Sequence, residues 1–559
     1  MREHADTAGT IGTLGRVPAS ATLGKLLMME SACLRHTEIP HTSALFTDFQ
    51  YHFDKVARFY AHNPHDARSY PAAAKEIAYP DQRRAALVAA LGASNKETAS
   101  LDLLARPGTV AVVTGQQVGL FSGPAYTIYK ALTAVRLAAQ LREQGIPAVP
   151  MFWLATEDHD VAEVNHAFVF GPDHRPIQLS VQANGKSERP VGGIPIAAPP
   201  VDRLREILAQ FPYGEEVAEM VRDAYPAGVT FGGAFRALLE RLLAGRGLLF
   251  VDPLDESIRR LAAPLLQEAV RQDEGLHAKL MERAKQLEAA GYHAQVHVEA
   301  KTSLVFLLDG ERRATLRRQN GEYASKEKHA GERKYSAEEL IGRAEQLSPN
   351  ALLRPVVQDY VLPTIAYVGG PAELAYMAQS QVLYRDLLGR MPVMVSRGGF
   401  TLLDARAAKL VARYGLTVPE FFHGEDGVRD AIAAKLVPPA LTAEFSAARG
   451  TVSESVERLR DDLIAFDATL AAATNKSLAK ITYQLSKIEH KTARETLKRN
   501  ERAGADAGYM SGLIFPNKHL QERYYSILPF LARHGVADLM DTLYQHVRLE
   551  CPDHQVLLV

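Results

Sequence analysis

Thr109-Val110-Ala111-Val112-Val113-Thr114-Gly115-Gln116-Gln117-Val118-Gly119-Leu120-Phe121-Ser122-Gly123-Pro124 is the stretch whose reading decides the fold. The β-branched run at its start, entered through Pro107-Gly108, predicts a buried parallel strand that is apolar on both faces. Pro124 opens a helix in its first turn, where a missing N–H costs nothing. Ile128, Leu132, Val135 and Ala139 form the inner stripe of that helix, and Gly145-Ile146-Pro147 ends it. A second apolar strand, Val149 to Thr156, runs into Glu157-Asp158-His159-Asp160, with Glu163, Asn165 and His166 close behind. Strand, Gly-rich loop, helix and strand make one right-handed βαβ unit, and the fold class is α/β with a parallel sheet.

In such sheets ligands sit beyond the carboxyl ends of the strands. The loop offers Gln116, Gln117, Gly119, Ser122, Gly123 and, just inside the helix, Tyr126. Backbone N–H groups and a helix N-terminus suit an anion, although the loop is neither GxGxxG nor GxxxxGK[ST]. Lys130, one turn after Tyr126, is placed to meet an anionic group. Glu157, Asp158, His159, Asp160 and His166 are candidate catalytic groups, since carboxylates and imidazoles suit proton transfer or metal binding. Further along, Ile365 to Val368 followed by Gly369-Gly370-Pro371-Ala372 repeats the grammar of strand, Gly-Pro and helix. Around that repeat lie Arg354, Gln358, Asp359, Gly370 and Glu373. Another buried strand, from Pro392, ends at Ser396-Arg397-Gly398-Gly399. Arginine is suited to bidentate recognition of carboxylate or phosphate, with a buried structural ion pair as the competing explanation for Arg354, and Arg397 stands where a ligand could reach it.

The chain has 559 residues, enough for more than one domain. It is 47% hydrophobic and 23% charged, with a formal net charge of -1, so nothing points to nucleic acid or an anionic membrane as partner. Its only cysteines, Cys33 and Cys551, form no CxxC and no disulfide framework, and a reducing cytoplasm is the economical reading. No uninterrupted apolar run reaches membrane-spanning length, and Leu26-Leu27-Met28-Met29 is too short for a signal peptide.

Taken in order, residues 1–28 are expected to be a disordered extension, with Met28 or Met29 as an alternative initiator, and 29–106 a helical cover rich in aromatics. Residues 107–166 are the first βαβ, and 167–240 an insertion with short strands and two or three helices. Residues 241–450 complete the core. Within them Asp252 ends a strand, 256–290 form a charged helix or pair, and Val296-His297-Val298 pairs with Ser303 to Leu308 as a hairpin closed by Asp309-Gly310. The basic run from Arg312 to Lys328 reads as a solvated face. Over 451–503, Val452, Val456, Leu459, Leu463, Phe466 and Leu470 mark a coiled-coil seam. Leu478, Ile481, Leu485 and Ile488 resume it out of phase, which fits either an irregular long helix or an antiparallel hairpin turning near Asp467 to Asn475. Such a seam is expected to serve homodimerisation. Residues 504–559 return to globular helices on the core.

TGQQVGLFSGPAYTIYKA (114–131) and PMFWLATEDHDVAEVNH (150–166) resemble the bacillithiol biosynthesis cysteine-adding enzymes, the BshC family. SPNALLRPVVQDYVLPTIAYVGGPAELAYMAQ (348–379) and LIFPNKHLQERYYSILPFL (513–531) extend the similarity from about Cys33 to Leu531. The resemblance implies a Rossmann-type core with inserted connecting segments and a helical coiled coil in the C-terminal half. It also implies a ligase that adds L-cysteine to the amine of glucosaminyl-malate. That bond is uphill unless the carboxyl is activated, for which ATP with Mg²⁺ is the usual means; no tightly bound cofactor is implied. An amine nucleophile must be neutral, so a base is required. Neither HIGH nor KMSKS occurs in its standard spelling, so the likeness to class I synthetases is one of core fold.

Two other functions compete. A zinc or magnesium hydrolase would use Glu157, Asp158, His159, Asp160 and His166 as ligands and base. A non-enzymatic scaffold would make the coiled coil the point of the molecule, but leaves two Gly-Pro helix starts beside polar clusters unexplained.

Overall fold

A computed structural model describes residues 31–182, 188–319, 321–327 and 331–559, so the expectation for 1–28 lies outside the described residues. Strand β1 (Val110–Gln117) is buried through its first six residues. Its alternate side chains enter different apolar clusters, Ala111 and Val113 on one face and Val110 and Val112 on the other. Helix α1 (Tyr126–Glu143) buries twelve of its eighteen residues, more than the single stripe that its spacing predicts. Strand β2 (Ala148–Ala155) returns parallel to β1, from the pair Val110–Ala148 to the pair Gln117–Ala155.

Strands β3 (Leu249–Val251), β4 (Thr364–Gly369) and β5 (Val393–Ser396) complete a parallel sheet in the order β5-β4-β1-β2-β3, and helix α2 (Pro371–Leu387) follows β4. β1 and β4 lie side by side while their onward connections lead to opposite edges, so the switch point of the sheet falls between them. The two helices with Gly-Pro starts, α1 and α2, therefore both begin beside it.

The connecting segments sit at the carboxyl ends. Between β2 and β3 come a hairpin (His166–Phe170 with Pro176–Ser180) and three helices, Val201–Leu208, Gly214–Ala224 and Phe231–Leu242. Between β3 and β4 come the helices Glu256–Arg271 and Asp273–Ala289, then an antiparallel sheet. Its strand order is Gly331–Tyr335, Glu322–Glu327, Arg312–Gln319, Thr302–Asp309 and Leu347–Pro349. The Asp309-Gly310 turn is there, but it joins Thr302–Asp309 to the strand after it. Val296-His297-Val298 is not a strand. The Gln379 amide donates to Val296 O and accepts from Val296 N, both at 2.8 Å, and so replaces a neighbouring strand. The basic run is likewise not a uniformly solvated face, because its first half is this strand and Arg313 points inward.

Three short strands have no counterpart in the sequence reading. Ser31–Leu34 pairs antiparallel with His554–Leu558, which pairs parallel with Phe400–Leu403. These strands are four or five residues long, and partners more than 500 residues apart leave no local pattern. The arm consists of α3 (Pro439–Phe466) and α4 (Ala468–Lys498), and so begins earlier and ends sooner than 451–503. Asp467 breaks the helix and caps α4, accepting from Thr469 N at 2.6 Å. An ion pair between Arg449 and Glu489, forty residues apart, makes the two helices an antiparallel hairpin. Leu459, Phe466, Leu470, Ile481 and Ile488 remain exposed along it, Phe466 at 80%. Among the described residues no helix is long and apolar enough to cross a membrane.

Candidate active site

The carboxyl end of β2 is held by a clamp. Gly192 N donates to Thr156 O at 2.9 Å and Val191 N to Asp158 O at 2.6 Å. A Cβ on Gly192 would lie 2.3 Å from Thr156 Cβ, so only glycine allows this approach. Thr156 in turn donates to Asp252 Oδ1 at 2.5 Å, which gives Asp252 a bracing role. The three residues that follow are thus fixed by backbone before any side chain is considered.

Glu157 is 8% exposed and faces two guanidinium groups, with Arg259 Nη1 3.3 Å from Oε1 and Arg313 beside it. Burial pushes this carboxyl up to about 7, against the pull of Arg313 and Arg259. Asp158 is the opposite case. Burial raises it, but the Gln117 amide at 2.7 Å, the His159 N–H at 2.7 Å and Arg313 together hold it below the usual carboxylate range. Arg313 is 8% exposed, lies over the Phe306 ring at 3.9 Å, and donates to Ser348 Oγ (3.0 Å), Pro349 O (2.8 Å) and His159 Nδ1 (3.0 Å). Because arginine can only donate, His159 Nδ1 accepts, which assigns its proton to Nε2. Gln117 also donates to Glu163. Asp160 is spent locally, capping Val161–Val164 through Ala162 N at 3.0 Å.

At the switch point lies a second network, and it is largely closed. Lys130 is 1% exposed, and its ammonium donates to Gly115 O (2.8 Å), Gln116 Oε1 (2.9 Å) and Glu373. Three acceptors use its three N–H groups, so Lys130 orients Gln116, whose amide reaches the Tyr126 hydroxyl at 3.2 Å. Burial opposes charge on Glu373, but Lys130, the Gly370 N–H at 2.8 Å and the Tyr367 hydroxyl at 2.6 Å outweigh it and keep the carboxylate ionised. Arg354 reaches Tyr376 OH at 2.8 Å and Gln358 Oε1 at 3.2 Å. Gln358 and Asp359 themselves are fully buried and bonded to one another and to Tyr384, down the helix Arg354–Val361 and away from the strand end. Arg397 forms a bidentate pair with Glu522 (2.9 and 2.5 Å) and is 9% exposed, a structural ion pair under the Tyr126 ring. Lys130, Gln358, Asp359 and Arg397 are thus buried and partnered within the protein.

The Gly-rich loop is packed as well. Leu120, Phe121 and Ser122 are buried, Phe121 N donates to Tyr225 OH at 2.7 Å, and Ala125 N donates to Tyr525 O at 2.7 Å. Gly123 has φ 63° and ψ −158°, a conformation open to glycine alone, and Gly119 packs against it. Phe121 N and Ala125 N are thus engaged inside the protein, and the loop shapes the switch point. Asn165 and His166 (Oδ1 to Nδ1, 3.1 Å) stand beside Phe168, which stacks on Tyr524 at 4.2 Å, and the exposed Arg523 adjoins Tyr126.

What remains partly exposed at the strand ends is a polar set of side chains, Gln116, Gln117, Tyr126, Asp158, His159, Asn165, His166 and Glu373, with Glu157 and Arg313 buried beside Asp158 and His159. Arg313, Arg259 and Ser348 are the residues sequence reading missed. Only Ser348 left a trace, as the first residue of the 348–379 motif. Among the described residues no three His, Cys, Asp or Glu side chains converge on a point that could hold a metal ion, which leaves the hydrolase reading without a ligand set.

This architecture and these motifs coincide with one family. The profile described as "Bacillithiol biosynthesis BshC, N-terminal Rossmann-like domain" matches residues 29–398, and that of the C-terminal coiled-coil domain matches 400–559. The chain belongs to the BshC family. Relatives named "Putative cysteine ligase BshC" span nearly its whole length. The one from Solibacter usitatus is 53% identical over 531 residues, 95% of this chain and all of the relative. That from Koribacter versatilis is 36% identical over 94% of this chain and 99% of its own. That from Salinibacter ruber is 32% identical, covering 92% and 96%. The family's two parts meet at residue 399, between β5 and the strand Phe400–Leu403, so the BshC division falls where the parallel sheet ends.

Proposed function

We propose that this chain is a ligase that joins the carboxyl of L-cysteine to the amine of glucosaminyl-malate, forming the amide of bacillithiol at the carboxyl end of β2. The family membership gives the reaction class. The observation that supports this location is Glu157, a carboxyl held near neutrality beside Arg313 and an ionised Asp158. A sugar amine attacks only when neutral, and a base with pKa close to the working pH takes its proton most effectively. Glu157 fills that role. Asp158, fixed by Gln117, receives the ammonium form of the incoming amine. His159, with Nε2–H directed away from Arg313, donates to the oxygen that gains charge as the C–N bond forms and the leaving group departs. Arg523 and Arg354 supply the cationic side suited to the malate carboxylates.

The cysteine carboxyl is activated before attack, with ATP and Mg²⁺ as the co-substrate. The exposed apolar stripe on α3 and α4 supports a homodimer, since each buried leucine or isoleucine contributes roughly 1.5–3 kcal/mol. A reducing cytoplasm is the compartment that fits two free thiols. Incubation of the purified protein with glucosaminyl-malate, L-cysteine and ATP–Mg²⁺, followed by mass spectrometry, tests the reading. The amide mass appears with ATP and not without it. Amide formation without any nucleotide overturns the activation step, and no amide under any condition overturns the function.

A further inference from the structure

The chain's only two cysteines are 518 residues apart in sequence, yet their sulfurs lie 3.8 Å apart. Cys33 is in the strand Ser31–Leu34, and Cys551 is in the connector leading to its pairing strand, His554–Leu558. The connector is anchored immediately after Cys551. Gln50 Nε2 donates to Pro552 O at 3.0 Å, and Tyr51 OH donates to Asp553 Oδ1 at 2.7 Å. Cys33 is exposed and Cys551 half-buried, so a small reagent reaches the pair. A disulfide has its sulfurs about 2.0 Å apart, so the two sulfurs must approach by about 1.8 Å to join.

We propose that Cys33 and Cys551 are a redox modification site, at which a small disulfide is reduced and the first and last strands of the molecule become covalently joined. The two sulfurs share one hydrogen bond in which either thiol can donate, so a thiolate formed on one sulfur is stabilised by the proton on the other. That thiolate displaces one thiolate from the small disulfide and forms a mixed disulfide. The other cysteine then loses its proton and attacks the protein sulfur of the mixed disulfide, releasing the second small thiolate. Two protein thiols are oxidised, one small disulfide becomes two thiols, and nothing else is consumed.

The site is physically continuous with the core. Cys551 lines the same small cavity as Arg397 and Gly398. Three residues after it, His554 bonds Thr401 Oγ1 at 2.8 Å and packs on Gly399 next to Glu522, the partner of Arg397. Closing the bond fixes the strand that carries His554. This inference does not depend on the ligase reading.

The test uses the full-length protein, reduced and then exposed at neutral pH to roughly a hundredfold excess of glutathione disulfide, with acid quench and intact-mass analysis. The wild type loses about 2 Da, retains no glutathione, and yields a peptide linking Cys33 to Cys551. Cys33→Ser and Cys551→Ser each accumulate one glutathione on the remaining cysteine and form no cross-link. Circular dichroism establishes that both variants are folded. Stable glutathione adducts on the wild type without a cross-link, a persistently reduced wild type, or a bond between two chains would each overturn the proposal.

Discussion

Replacing Glu157 by glutamine is predicted to make the protein more stable above neutral pH and, at the same time, inactive. Glu157 is raised from an ordinary 4.5 to about 7 by burial. Between those values the unfolded chain has lost the proton and the folded chain keeps it, so the folded state binds more protons and stability falls as pH rises. The contribution is fully present below about 4.5 and is lost as pH passes 7. A difference of about 2.5 units corresponds to about 3 kcal/mol. Glutamine imitates the protonated carboxyl and carries no charge to bury. Glu157→Gln should therefore match the wild type at pH 4 and exceed it by about 3 kcal/mol at pH 8, a urea midpoint shift of roughly 1 M for a slope of about 3 kcal/mol/M. Urea unfolding of both proteins at the two pH values is the assay. Equal destabilisation of the variant at both would refute the reasoning, because it would mean that the ionised carboxylate is a net stabilising partner of Arg313 and Arg259.

Other consequences follow from the same geometry. Asp158→Asn and His159→Ala should each lower turnover by at least ~10²-fold with an unchanged circular dichroism spectrum, and wild-type turnover in both would remove them from the chemistry. Gly123→Val should cost stability, by about 1–3 kcal/mol for a branched residue at positive φ, with KM little changed; a large rise in KM at unchanged stability would restore the loop as a ligand cradle. Leu459→Glu with Ile481→Glu, both on the exposed stripe, should give a monomer by light scattering while the Rossmann-like part stays folded. A wild type already monomeric at micromolar concentration would end the dimer proposal.

The sequence displayed what local periodicity can encode. The runs around Val110 and Val149 and the stripe from Ile128 to Ala139 announced β1, β2 and α1, and the repeated Gly-Pro helix start pointed to two helices at one crevice. Gln117, Asp158 and His159 were recognisable because they follow the buried run that fixes them. What escaped was set by tertiary contact. Arg313 sits among five other basic residues, and only the pairing of its strand with Thr302–Asp309 decides that it turns inward. Lys130 and Arg397 look available in sequence because their acceptors, Glu373 and Glu522, come from distant segments. The phase slip after Leu470 left two possibilities open, and the Asp467 cap resolves it as a hairpin.

The most direct measurement for the central claim is the initial rate of amide formation from L-cysteine and glucosaminyl-malate, followed from pH 6 to 9 in the wild type and in Glu157→Gln. The account predicts a wild-type rate that rises with a midpoint near 7, as Glu157 loses its proton, and no such rise in the variant, whose rate stays at least ~10²-fold lower. A variant that forms the amide at the wild-type rate with the same pH profile would contradict it.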